Sequence, residues 1–153
     1  MIIKMERITV VELQQMGLKV TPQREALLKL LNGNETHPSA EDLYHKLLRR
    51  FPRISFATVY NTLSKLAEAG KIQELDIDPQ RKRFDPFTAP HHHFYCKVCR
   101  RVFNVGDDVS PSGAENLLNA TDVNGHRVDT VHVNLRGVCK DCKDSDEAGK
   151  WQQ

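Results

Sequence analysis

Residues 55–70 read S-F-A-T-V-Y-N-T-L-S-K-L-A-E-A-G, and residues 72–84 follow as I-Q-E-L-D-I-D-P-Q-R-K-R-F. In the first stretch Val59, Leu63 and Leu66 recur at helical spacing, while Tyr60, Asn61, Ser64 and Lys65 fall largely on the other face. Ser55 is a good N-cap and Gly70 a good stop. After Gly70 the period changes. Residues 72–77 alternate apolar and polar, as a half-buried strand does, Asp78-Pro79-Gln80 makes a turn, and 81–84 returns with three basic residues. A helix followed by a hairpin with a basic tip is the end of a winged helix-turn-helix.

Upstream of this stretch lie three further helices. A short one over 6–16 offers Ile8, Val11, Leu13 and Met16 to a core, and Gly17 ends it. Thr21-Pro22 opens the next, with Thr as cap and Pro where its missing N–H costs nothing. Ala26, Leu27, Leu30 and Leu31 supply its buried stripe, and Asn32-Gly33 closes it. Ser39-Ala40-Glu41-Asp42 starts another, close to a capping box, which carries Leu43, Leu47 and Leu48 and ends before Pro52. In such an arrangement the last helix enters a DNA major groove and the wing approaches phosphates. Asn61 suits a bidentate contact to adenine, and Tyr60 suits a thymine methyl or a phosphate. Each helix taken alone reads more readily as an ordinary packed helix with a solvated face; the succession of helices and hairpin, with Tyr60 and Asn61 exposed on the last helix, tips the balance toward DNA binding.

Downstream, residues 85–99 read D-P-F-T-A-P-H-H-H-F-Y-C-K-V-C and place Asp85, His91, His92, His93, Cys96 and Cys99 close together. All are ligand types for a divalent first-row metal. Cys96 and Cys99 form one C-x-x-C pair, and Cys139 and Cys142 another. Two such pairs close a tetrahedron around Zn²⁺, and the long interval between them requires a folded unit in the middle. Residues 101–105 read as a strand, 110–120 as a weak helix, 126–135 as an irregular strand, and the tail from 146 as charged chain with Trp151 unexplained. On an extended strand His91 and His93 face one side and His92 the other.

Composition sets outer bounds. The chain has 153 residues, 39% of them hydrophobic, and a net charge of +2. Residues 1–84 hold 14 Lys/Arg against 10 Asp/Glu, and residues 85–153 hold 8 against 10, so the basic excess sits in the first half. No 18-residue apolar run is present and the first residues lack a signal pattern, so the cytosol is the expected location. There paired cysteines bind zinc more readily than they form disulfides. The fold class expected is α+β, with a winged-helix domain over 1–84, a hinge over 85–93, a small α/β zinc-stabilised domain over 94–145 and a tail over 146–153.

V-T-P-Q-R at 20–24, H-P-S-A-E-D-L-Y at 37–44, A-T-V-Y-N-T-L at 57–63, H-H-H-F-Y-C-K-V-C at 91–99 and G-V-C-K-D-C at 137–142 together resemble the ferric-uptake-regulator family. Tyr60 followed by Asn61 looks most like its peroxide-responsive repressors. The resemblance implies a homodimeric repressor on a palindromic operator, without enzymatic turnover, and it makes the 94–145 domain the dimerisation domain. It implies structural zinc at Cys96, Cys99, Cys139 and Cys142. It also implies a regulatory iron or manganese site at His37, Asp85, His91 and His93, with Asn104 as the fifth position. DNA contacts would come from Tyr60, Asn61, Lys65, Arg81 and Arg83. Hydrogen peroxide would be the signal, through oxidation of His37 and His91.

Two residues depart from the family pattern. Asn104 stands where peroxide-sensing relatives carry an acidic residue, with Asp107 and Asp108 as nearby substitutes. Val131 stands where many relatives carry a histidine, with His132 beside it on the opposite strand face, which removes support for an additional site. Two other readings remain. One is an iron- or zinc-responsive regulator of the same family; the other is a zinc-stabilised metal-binding or redox protein that regulates no gene.

Overall fold

The computed structural model describes residues 7–106 and 121–145. The weak helix expected over 110–120, Asp107, Asp108 and the tail with Trp151 lie outside the described residues. The chain divides into two compact units between Ala89 and Pro90.

Among the described residues the first unit holds four helices, α1 (Val10–Gln15), α2 (Pro22–Leu31), α3 (Ala40–Leu48) and α4 (Phe56–Glu68), then strands β1 (Gln73–Leu75) and β2 (Arg83–Asp85). Three of the helix starts fall where the sequence puts them. Thr21, Ser39 and Ser55 each accept a backbone N–H from the residue three positions on. Helix α1 begins later than expected. Thr9 caps it with Glu12 in a reciprocal box, because that pair satisfies two otherwise orphaned N–H groups. The core is a fused set of apolar stripes: Leu13 from α1, Leu27 and Leu31 from α2, Leu43 from α3, and Val59, Leu63 and Leu66 from α4, closed by Phe84 from β2. Each fully buried leucine contributes roughly 1.5–3 kcal/mol.

Strands β1 and β2 pair antiparallel, with Glu74 opposite Phe84 and Gln73 opposite Asp85. Strand β1 is shorter than the alternation over 72–77 suggests. Ile72 and Ile77 are nonetheless buried, one at each side of it. Asp85, which the sequence reading assigns to the hinge, is the last residue of β2.

The second unit is built on a three-stranded sheet of β3 (His92–Cys96), β4 (Val102–Val105) and β7 (Asn134–Gly137), in the order β4-β3-β7. Strand β4 is antiparallel to β3, whereas β7 is parallel to it, with Cys96 opposite Gly137. A parallel neighbour needs a long connection, and β4 and a further hairpin lie between β3 and β7 in the chain. That hairpin is made by β5 (Asp122–Val123) and β6 (His126–Arg127). The single irregular strand expected over 126–135 is therefore two short strands in different sheets. Asn124 and Gly125, both at positive φ (51° and 81°), make the tight turn that ends β5. A one-turn helix, α5 (Lys140–Lys143), closes the unit. No described helix is long and apolar enough to cross a membrane.

Candidate metal centres and nucleic-acid interface

The parallel pairing of β3 with β7 explains the cysteine geometry. Parallel strands end at the same edge of a sheet. Cys96 ends β3, and Cys139 lies two residues beyond the end of β7. The two C-x-x-C turns therefore meet, and all four sulfurs lie within 4.8 Å of one another. Cys99 Sγ and Cys139 Sγ are 3.8 Å apart. A tetrahedron with Zn–S bonds of about 2.3 Å has edges of about 3.8 Å, so the donor set fits zinc. All four are free thiols.

Their acidity fits metal binding as well. Burial pushes the Cys96 thiol up, but the backbone N–H groups of Cys139, Cys99 and Val98 outweigh it and bring the group down to about 6. The Cys139 N–H lies 3.3 Å from Cys96 Sγ. Cys142 moves the other way, pushed up to about 12 by burial and by the three neighbouring sulfurs. Four thiols this close cannot all ionise without a cation among them. Arg101 braces the cluster from outside: its Nε donates to Cys99 Sγ at 3.4 Å and its Nη2 to Asp141 at 2.7 Å, linking the two turns.

The His/Asp donors fall in both units. In the first, His37 Nε2 lies 3.3 Å from Asp85 Oδ2, and both side chains are fully buried. The other Asp85 oxygen accepts the Phe87 N–H at 2.8 Å. His37 holds a φ of 50°, a region that a residue with a Cβ seldom occupies. Such strain persists only where the surroundings impose it. In the second unit His91 and His93 are buried, with ring centroids 4.4 Å apart. Asn104 sits on β4 directly opposite His93, and its Oδ1 is 3.1 Å from His91 Nε2. His92 faces away, as its place in the alternation requires, and its Nδ1 accepts the Val133 N–H at 3.2 Å. A buried imidazole–carboxylate pair and a buried imidazole pair are each a donor set for Mn²⁺, Fe²⁺ or Zn²⁺.

Helix α4 sorts its faces cleanly. Val59, Thr62, Leu63 and Leu66 are buried, whereas Tyr60, Asn61 and Lys65 are exposed. Two features escaped the sequence reading. Phe56 is 38% exposed, and its ring lies 6.1 Å from that of Tyr60, one turn on; their i, i+4 spacing was the available signal. A cleft of about 250 Å³ beside the starts of α2 and α4 is lined by Gln23, Arg24, Arg53 and Thr58.

The wing differs from expectation. Arg83 is not at an exposed tip but only 7% exposed, bound to Asp78 through Nη2 at 2.7 Å and Nε at 2.9 Å. A guanidinium in that position is a structural group, so it is withdrawn from the expected phosphate contacts. Lys82 is outward but engages Glu74 at 2.5 Å and Asp76 at 3.0 Å, which raises its basicity. Arg81 remains about one-third exposed; it reaches Ser39 Oγ at 3.4 Å and lies 3.6 Å from Asp42 and 4.0 Å from Asp78.

Residues 15–135 match the model of the ferric uptake regulator family. The chain belongs to that family. As a family member it is 36% identical over 130 residues to the peroxide operon regulator of Bacillus subtilis, covering 85% of this chain and 88% of that one. It is 34% identical over 136 residues to the peroxide-responsive repressor PerR of Staphylococcus saprophyticus, covering 89% and 90%. Among solved structures it is similar to the iron-bound ferric uptake regulator of Francisella tularensis, with a TM-score of 0.68, 27% identity and coverage of 84% and 96%. The ferric uptake regulator of Helicobacter pylori shares the fold, with a TM-score of 0.72 at 21% identity over 90% of each chain. The motifs quoted from 20–63 and 91–99 all lie inside the matched residues.

Proposed function

We propose that the protein is a metal-dependent, homodimeric transcriptional repressor that binds a palindromic DNA operator and responds to hydrogen peroxide. The observation that carries the DNA reading is α4, whose apolar side is fully buried while Tyr60, Asn61 and Lys65 face outward. A helix presented this way after three others offers base-reading side chains to a major groove. Arg81 supplies a phosphate contact from the wing. The similarity to peroxide-responsive repressors supports the choice of signal.

In this reading Cys96, Cys99, Cys139 and Cys142 hold a structural zinc that stabilises the second unit. A second, exchangeable ion takes His37 and Asp85 from the first unit and His91 and His93 from the second, with the Asn104 carbonyl as a neutral fifth donor. What supports this is the donor chemistry of each half and the family resemblance. Ligands from two units couple metal occupancy to their arrangement, because the ion favours whichever state offers it all its donors. A coupling of about 3 kcal/mol changes operator affinity roughly 150-fold.

Iron held by His37, Asp85, His91 and His93 would supply the redox chemistry that activates peroxide, and the ligand imidazoles would be the groups exposed to it. His37 or His91 then gains one oxygen at a ring carbon; the imidazole is oxidised by two electrons, peroxide is reduced, and water leaves. The modified ring is a poor ligand and repression ends. Sensing is stoichiometric, so no turnover is expected. The protein acts in the cytosol, where its four thiols stay reduced for zinc.

The test is operator binding by zinc-only protein given Fe²⁺, Mn²⁺ or neither, before and after peroxide, with peptide mapping. The expected result is release by peroxide only in the iron form, with ~16 mass units added to His37 or His91. A second reading, a regulator of metal level alone, is favoured by Asn104. A neutral donor beside His91 gives the site one carboxylate instead of two and weakens its hold on hard ions. Operator release by chelation but not by peroxide would select it.

A further inference from the structure

Arg83 is turned inward. Its guanidinium engages Asp78 closely. Its Nη1 also donates to the main-chain carbonyl of His37 at 3.4 Å and lies 3.6 Å from Asp42. Asp42 is the third residue of α3 and, with Ser39, forms the capping box that starts that helix. The next two residues of β2 hold the same segment. The Phe84 N–H donates to the Pro38 carbonyl at 2.9 Å, and the Asp85 carboxylate faces the His37 imidazole. Arg81 reaches there too, with Nη1 3.4 Å from Ser39 Oγ. His37, at its φ of 50°, is therefore clasped from strand β2 through its carbonyl, its neighbour's carbonyl and its ring.

We infer that Arg83 is a positioning residue for His37: it ties the wing turn, through Asp78, to the loop that presents this ligand, so that metal at His37 and Asp85 and the folded wing stabilise each other. The inference rests on the metal reading proposed above but is internal to the first unit. The physical basis is linkage. Whatever holds His37 in its strained backbone conformation favours metal, and metal must favour that holding contact by the same factor. Asp78 is the hinge of the device, since one of its oxygens binds Arg83 while the other accepts the Gln80 N–H at 3.0 Å inside the turn. A buried Arg–Asp pair serving stability alone would explain the Asp78 contact, but it would not predict an effect of metal on the wing.

The experiment uses the full chain carrying its cysteine-bound zinc, with Mn²⁺ as probe. Mn²⁺ affinity is measured by calorimetry, and backbone hydrogen exchange of residues 76–82 is followed with and without Mn²⁺. In the parent chain Mn²⁺ should slow exchange in the turn. Arg83→Lys keeps the charge but loses the fork, and should weaken Mn²⁺ roughly tenfold and remove the slowing while zinc content stays unchanged. Asp78→Asn keeps the shape and serves if the lysine variant does not fold; it should act in the same direction. If the variant that folds binds Mn²⁺ as the parent does, or still shows slowed exchange, the inference is overturned. His37→Ala separates the two proposals. If it leaves Mn²⁺ binding intact, the metal reading fails and this inference with it. If it weakens binding and the Arg83 and Asp78 variants do not, only the inference fails.

Discussion

The cysteine cluster and the His37–Asp85 pair are both candidate metal ligands, yet they are built on opposite plans. The four cysteines come from one unit, from short turns at the same edge of a small sheet, and two of them are only half-buried. His37 and Asp85 are fully buried, lie 48 positions apart (85 − 37) and are held by a strand, a strained loop and a helix cap. A site made of local turns on one sheet edge loses its shape only when that unit unfolds, which suits a permanent ion. A donor pair that depends on distant packing shifts whenever the packing shifts, which suits an exchangeable one. The difference shows that donor type alone does not separate a fixed metal from a switching one. What the donors are attached to does.

The comparison breaks most visibly at the cysteines. Cys96→Ser or Cys139→Ser should strip the zinc and unfold the second unit, since binding free energy at such sites is roughly 10–16 kcal/mol and is folding energy. Elemental analysis should read zero zinc, while circular dichroism keeps the helical signal of the first unit. Retained zinc at one per chain would contradict the assignment. Acid should do the same more gently. Metal needs thiolates, so zinc release should grow as pH falls and protons compete for the four sulfurs; a chromogenic chelator reads it.

The next effect lies at the other site's support. Removing one partner of a buried ion pair costs about 3–5 kcal/mol, so Asp78→Ala should markedly lower the melting temperature of the first unit. The pH sign follows from the carboxyls. At Asp78 burial pushes the carboxyl up, but the Gln80 amide and Arg83 outweigh it and leave it below its usual 3.8. At Asp42 burial also pushes up, and the Ser39 contacts and both arginines prevail. Depressed carboxyls contribute stability that is complete above pH 3.8 and disappears as pH falls below it. Denaturant melts between pH 2 and 6 should show this loss, blunted in Asp78→Asn.

Two smaller changes sharpen the contrast. Asn104→Asp adds a carboxylate beside His91 and should tighten Mn²⁺ roughly tenfold while leaving zinc content untouched, as calorimetry would show. Unchanged Mn²⁺ affinity would remove Asn104 from the ligand set. Arg100, just after the first cysteine pair, holds a φ of 59°. Arg100→Gly relieves a left-handed conformation that costs an L-residue roughly 1–2 kcal/mol and should raise the stability of the second unit by up to that amount.

Much of this was legible in the chain. The caps at Thr21, Ser39 and Ser55 act within three residues, so local chemistry decides them, and the leucine stripes follow from helical period alone. The two C-x-x-C pairs announce zinc by residue type and spacing. The hairpin at Asn124-Gly125 is also written locally, but its turn lies just ahead of the stretch read as an irregular strand, 126–135. Arg83 was misread for a different reason. A basic residue near a turn carries no local mark of whether it faces solvent or a buried aspartate five positions back.

What the sequence by itself determined is therefore the list of elements, the apolar face of each helix and the chemical kinds of donor present, because these depend on period, capping and residue type over a few positions. Only the tertiary structure decided that β7 runs parallel to β3 and so brings the cysteine pairs together. It alone decided that His37 sits at a strained φ, that Arg83 turns inward to hold it, and that Asn104 lies against His91. Those facts join residues dozens of positions apart, and they are fixed by which packing buries the most apolar surface while leaving each buried charge a partner.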